Sequence, residues 1–241
     1  MLAAGLWGFG AASALVVGAL IGMSSKVPRQ LVALAMAFGA GALVSALAFD
    51  LTEDAFAHGG TLPVAGGLAA GALVFFTGDQ LLNRRGGGRR GKRVAKAANN
   101  GSAIVLGAML DGIPESVVLG STLIAGGAIS LPFLAAVAIS NVPESLSAAA
   151  DLKREGHKPT WIIGLWVAVA VVSGIASALG FALLGDVGES AIPLIQAFAA
   201  GAILTMLSDT MIPEAFADGG DLTGLATVFG FATAFLLTTV G

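Results

Sequence analysis

Leu110-Asp111-Gly112-Ile113-Pro114-Glu115-Ser116 lies inside one long apolar run, and Ser140-Asn141-Val142-Pro143-Glu144-Ser145 repeats its ending inside the next. Each copy sets a carboxylate directly after a proline. Proline inside a helix leaves the carbonyl four residues back without its partner. A charged side chain at the centre of a membrane helix costs about 2.5–3.5 kcal/mol on insertion scales. The surrounding runs, 102–126 and 131–151, each reach the roughly 20 residues that a spanning helix needs. Two neighbouring membrane helices that repeat the same unfavourable pair point to a bound cation.

The rest of the chain agrees with a membrane reading. Of 241 residues, 56% are hydrophobic and 11% charged, against about 25% charged in soluble domains, so an all-α polytopic membrane protein is expected. Glycine, at 35 residues, is about twice its usual share of roughly 7%. Small residues let helices approach closely in lipid. Cysteine is absent, which excludes disulfides and thiolate metal ligands. The first 24 residues carry no basic region before their apolar run, so they read as a first membrane helix and not as a cleaved signal.

Eight segments qualify as spans: 4–24, 31–53, 63–83, 102–126, 131–151, 160–184, 191–214 and 222–240. All 12 lysines and arginines fall in alternate connections: Lys26 and Arg29; the loop 84–100, with Arg84, Arg85, Arg89, Arg90, Lys92, Arg93 and Lys96; and Lys153, Arg154 and Lys158. The positive-inside rule makes that side cytoplasmic and puts both termini outside. The location expected is a cell membrane, inner or plasma. The 84–100 loop reads as a topology signal and a contact for anionic membrane lipid. No nucleic-acid partner is expected.

The chain also repeats itself. Ala37-Phe38-Gly39-Ala40-Gly41-Ala42 matches Ala197-Phe198-Ala199-Ala200-Gly201-Ala202, and Asp54-Ala55-Phe56-Ala57-His58-Gly59-Gly60 matches Glu214-Ala215-Phe216-Ala217-Asp218-Gly219-Gly220, at one offset of 160 residues. Helix 2 then resembles helix 7 but runs the opposite way, as an inverted-topology repeat requires. A single transmembrane domain over 1–241 is expected, in a 3+2+3 layout: helices 1–3 within 4–83, the central pair 4–5 within 102–151, and helices 6–8 within 160–240.

Asp111 and Glu115 share a helix face, as do Ser140 and Glu144, with Asn141 beside them. Packed together, helices 4 and 5 would gather these oxygens. Clustered carboxylates cannot all stay ionised at low dielectric without a cation. Pro114 and Pro143 would add the freed carbonyls of Leu110 and Ile139. Asp50 and Asp54, with His58 one turn on, could form an entrance, and Asp209 and Glu214 an exit. The bland alternative makes the acids protonated and hydrogen-bonded between helices.

The paired motif resembles that of the ZIP (Zrt/Irt-like) metal transporters, in which helix 4 typically carries His-Asn-x-Pro-Glu-Gly and helix 5 a similar His-x-x-Pro-Glu-Gly. The helix count, the outside termini, the long 3–4 loop and the 3+2+3 layout are similar to that family across the chain. The resemblance implies transport of divalent metal of the zinc, iron or manganese class toward the cytoplasm, with Glu115 and Glu144 as ligands. Asp111 and Ser140 stand where histidines are usual, Gly112 where asparagine is usual, and Asn141 at a polar ligand position. Without the histidines the donors are oxygens, which suits manganese, magnesium or calcium, and also iron(II), better than zinc. The metal is cargo, no cofactor is expected, and a homodimer is compatible with the reading. The alternatives are a proton-coupled or monovalent-cation transporter and, last, a membrane enzyme, for which no metalloprotease His-Glu-x-x-His or other catalytic motif is found.

Overall fold

The computed structural model describes residues 1–24, 27–86, 101–126, 129–185 and 191–240, with side chains described outside 82–86, 101–111, 125–126 and 239–240. The backbone is helical almost throughout: α1 (Leu2–Ser24), α2 (Arg29–Gly59), α3 (Thr61–Gly86), α4 (Gly101–Gly126), α5 (Leu131–Arg154), α6 (Pro159–Gly185), α7 (192–219) and α8 (Thr223–Val240). Among the described residues there is no strand. Six stretches are long and apolar enough to cross a membrane: α1, α2, Thr61–Leu81, α5, α6 and Ile192–Thr238. The last of them contains the turn at Gly220. The described side chains of α4 give the shorter apolar stretch Gly112–Ile124. Leu62, Leu73, Leu225, Val228 and Phe229 are exposed on α3 and α8, as lipid-facing side chains would be. The chain is thus all-helical with the apolar helices of a polytopic membrane protein. Lys26, most of the basic 84–100 loop, Asp186 and Glu189 lie outside the described residues.

Two expectations about local structure change. The irregular backbone does not fall at the prolines, since α4 and α5 stay helical through Pro114 and Pro143. It falls in α2 and α7, as a π turn over Leu47–Thr52 and another over Leu207–Met211. Their first residues stand at the same 160-residue offset as the sequence repeat. π turns are rare and concentrate at functional positions. Helix 2 also runs past its expected end at 53. It continues through Asp54 and His58 to Gly59, and Gly60 at φ +74° then breaks it. Gly220, at φ +61°, ends α7 in the same way. Only glycine enters that left-handed region without steric penalty.

The helices sort into two groups of four. α1 packs along α5 and α6, and α6 along α4; in the other group α2 packs along α8, and α3 along α7, with α2 and α7 in contact. Ala12, Leu15 and Ala19 of α1 meet Ala149 and Leu152 of α5 and Ile162 and Trp166 of α6 in one core. A second core runs through Ala40, Leu43, Leu47 and Leu51 of α2 and Ala200, Ile203 and Leu207 of α7, and continues onto Val118, Leu119, Phe133 and Val137 of α4 and α5. Backbone-to-backbone approach at glycine holds the second group tight. A Cβ on Gly41 would strike the Thr227 carbonyl of α8, and one on Gly201 the Leu68 carbonyl of α3. Lys153 of α5 closes the end of α1 by donating to the Met23 carbonyl.

Candidate functional site

Glu115 is a buried acid, 4% exposed, on α4. Glu144 is half-buried on α5. Both line one cavity of about 10 Å³ with Asn141 of α5, Gly112 and Ser116 of α4, and Ser173 of α6. That is roughly the room of a single water molecule. α4 and α5 barely touch each other among the described residues, so the direct packing that would gather their oxygens is not how they meet. They converge because α1 and α6 hold them. Gly8, Ala11, Ala12 and Leu15 of α1 form the cavity's apolar wall. At that spacing these residues share one helix face, and their small side chains let α4 and α5 come near.

Hydrogen bonds fix several of the lining groups. The Asn141 amide donates across to the Ala11 carbonyl at 3.4 Å, tying α5 to α1. Ser116 donates to the Gly112 carbonyl at 2.6 Å, and Ser145 to the Asn141 carbonyl at 2.8 Å. The serines after each Pro-Glu thus close onto their own helices one turn back. Ser177 of α6 donates to the Ala4 carbonyl of α1 at 2.8 Å. No such bond is found for the Ser173 hydroxyl among the described residues, although Ser173 is only 3% exposed. It faces the cavity beside Gly112, where a Cβ would meet its Oγ at 3.3 Å.

The other expected residues are placed as follows. Asp111 is on the backbone of α4 one turn before Glu115, and its side chain lies outside the described residues. Ser140 is buried but is not part of the cavity lining. Its hydroxyl donates to the Val137 carbonyl at 2.9 Å, and its Cα would stand 2.8 Å from a Cβ on Gly39 of α2. Asp50 lies in the first π turn and accepts from Ser130 at 3.1 Å. Asp54 accepts from buried Gln196 of α7 at 3.1 Å, and exposed His58 sits beside it at 3.3 Å. Asp209 is exposed in the second π turn, and Glu214 is half-buried one turn on. Among the described residues no three His, Cys, Asp or Glu side chains cluster closely enough to hold a metal.

Sequence reasoning missed the α1 wall and Ser173. Both left a faint signal. Gly8, Ala11, Ala12 and Leu15 recur at helical spacing, and Ser173 and Ser177 are the only hydroxyls of α6 past its first turn.

The charge surroundings are one-sided. α1, α4 and α6 contain no lysine or arginine, and the two of α5, Lys153 and Arg154, stand in its last turn. Two carboxylates therefore meet in a small cavity with no basic residue on the flanking helix segments.

No family model matches the chain. It is 26% identical over 213 residues to an Arabidopsis thaliana protein named "Putative zinc transporter", a match that covers 85% of this chain and 33% of that protein. The chain spans about a third of that relative's length.

Proposed function

We propose that the chain carries divalent metal cations across a membrane, toward the cytoplasm, through the cavity between α1, α4, α5 and α6. One observation carries this reading: Glu115, Glu144 and Asn141, from two helices that scarcely touch, line the same small space. Without a cation, carboxylates so placed repel each other or stay protonated. With one, Glu115, Glu144, Asn141 and Ser173 offer an oxygen donor set, and the backbone of α4 carries Asp111 one helical turn before Glu115. Hard oxygen donors favour manganese, magnesium or calcium, and accommodate iron(II). The Arabidopsis relative's name supports a metal transporter in general.

Eight spans in an inverted repeat, with both termini outside, are part of the same proposal. The paired π turns support it. So does the packing: exchanging helices 1–3 with 6–8 and 4 with 5 turns α1–α5 into α6–α4 and α2–α8 into α7–α3, all of which are observed contacts. The glycine approaches of Gly41 and Gly201 exchange likewise. The two repeats are interleaved, so they would not rock against each other as separate blocks. The site lies wholly within α1, α4, α5 and α6, and that group would carry the cation past α2, α3, α7 and α8. Asp50 and Asp54 at one end, and Asp209 and Glu214 at the other, would attract cations to the route.

The test is uptake into liposomes of manganese, iron(II), zinc and magnesium by the parent, Glu115→Gln and Glu144→Gln. Both substitutions should reduce the flux of the transported metal at least tenfold. Unchanged flux in both would reject the site. A proton signal with no metal flux would instead favour the proton-coupled carrier.

A further inference from the structure

The two helix groups meet chiefly where α2 crosses α5. The two helices run antiparallel there: Gly39 faces Ser140, and Asp50 faces Ser130. These two points lie about 16 Å apart along α2 at 1.5 Å per residue. The first is a seam of small residues without a polar bond between them. The second is a hydrogen bond across the groups, with the Ser130 hydroxyl donating to the Asp50 carboxylate at 3.1 Å.

The π turn explains why Asp50 can reach. Its extra residue changes the direction of successive side chains. Phe49 packs onto Phe231 and Phe235 of α8, with ring centroids 6.1 Å and 5.0 Å away, and so fixes the turn within its own group. Asp50, next in sequence, accepts from Thr238 of α8 within its own group and from Ser130 of the other group. Ser130 in turn is the N-cap of α5, accepting from the Phe133 amide at 3.2 Å. One serine hydroxyl therefore starts the helix that carries Asn141 and Glu144 and joins it to α2.

We propose that Asp50 and Ser130 form a clasp that pins the α1/α4/α5/α6 group to the α2/α3/α7/α8 group at one end of their seam and must open before either group moves along the other. The clasp rests on the proposed movement of one helix group past the other, and holds whether the cargo is a divalent metal or another solute. It gives Asp50 a role distinct from attracting cations.

The chain has no cysteine, so spin labels can be placed without a background. Phe56 and Leu131, 55% and 61% exposed, flank the clasp on α2 and α5. The full chain carrying Phe56→Cys and Leu131→Cys, labelled and reconstituted in liposomes, is measured by pulsed electron resonance without added metal. Glycine caps a helix nearly as well as serine or asparagine, but only Asn can donate to Asp50. Ser130→Gly should therefore add a second, longer distance population, while Ser130→Asn should keep the parent distribution. Asp50→Ala, which leaves the cap untouched, should reproduce the Ser130→Gly result and decides alone if that variant does not fold. Equal distributions for Ser130→Gly and Ser130→Asn, or a parent-like distribution for Asp50→Ala, would overturn the clasp.

Discussion

Glu115→Gln should change its effect on stability according to whether metal is present. The side chain is 4% exposed, and no basic residue lies on α1, α4 or α6. Holding a carboxylate there costs up to about 2.5–3.5 kcal/mol when it is ionised and close to nothing when it is protonated. Glutamine keeps the size and removes the charge, so its effect on the unfolding midpoint should be smaller without metal than with it. With a divalent cation at about 100 times its dissociation constant the parent gains about 2.7 kcal/mol. For a chain of this size that corresponds to roughly 5–10 °C in the unfolding midpoint. Losing one charged ligand should weaken binding at least tenfold, worth about 1.4 kcal/mol, and so cut the metal-induced rise by about 3–6 °C. The assay is thermal unfolding in detergent followed by tryptophan fluorescence, for which Trp166 is fully buried. The scan is repeated with chelator and with each of manganese, iron(II), zinc and magnesium. A midpoint lowered equally with chelator and with metal would make Glu115 a structural residue. A metal-induced rise of parental size in Glu115→Gln would remove it from the site.

Ser173→Ala should lower affinity for the transported cation several-fold while moving the chelator midpoint by less than about 2 °C, because no described hydrogen bond is lost; a titration in the same unfolding assay reads both. Gly41→Ala and Gly201→Ala should each destabilise by about 1–3 kcal/mol, since each Cβ meets a carbonyl of the facing helix, and denaturant unfolding should find the two costs similar if the packing is pseudo-symmetric. Gly60→Ala, at φ +74° and ψ −175°, should cost about 1–3 kcal/mol in the same measurement, with metal affinity unchanged.

The helices were legible because lipid imposes a simple rule: about 20 apolar residues per span. Their exact ends were not. The break was read from His58 onward, yet a helix that has left the apolar layer can continue in water until a residue such as Gly60 stops it. The prolines were conspicuous and drew the irregular backbone to themselves. In the structure Pro114 and Pro143 leave their helices intact, and the ladder is broken instead at two π turns whose residues, Leu47–Thr52 and Leu207–Met211, carry no proline or glycine. A π turn is decided by what the extra residue gains across the interface, which for Asp50 is Ser130 and for Phe49 is α8. Such a gain is tertiary and has no local code.

The site shows the same division. That Glu115 and Glu144 would share one space could be read from the repeated Pro-Glu pair. That α1 would line their cavity could not, because Gly8, Ala11, Ala12 and Leu15 look like any small-residue face. Ser140 shows the reverse error. It is four residues from Glu144 and so shares its face, but 40° of helical twist is enough to leave Glu144 on the cavity and put Ser140 against Gly39 on the seam. The distinction carries mechanical weight. A polar ligand at the seam would bind the two groups together wherever the cargo is held, whereas Ser140 spends its hydroxyl on its own helix and leaves only a small, apolar contact facing Gly39. Among the described residues, the α2–α5 seam has a small-residue contact without a side-chain hydrogen bond at Gly39 and Ser140, and a bond between Asp50 and Ser130 near one end. Among the described residues that bond joins the two groups beside a shared apolar core, while the lining around Glu115 and Glu144 sits within a group whose own helices are tied by Asn141 to Ala11 and by Ser177 to Ala4.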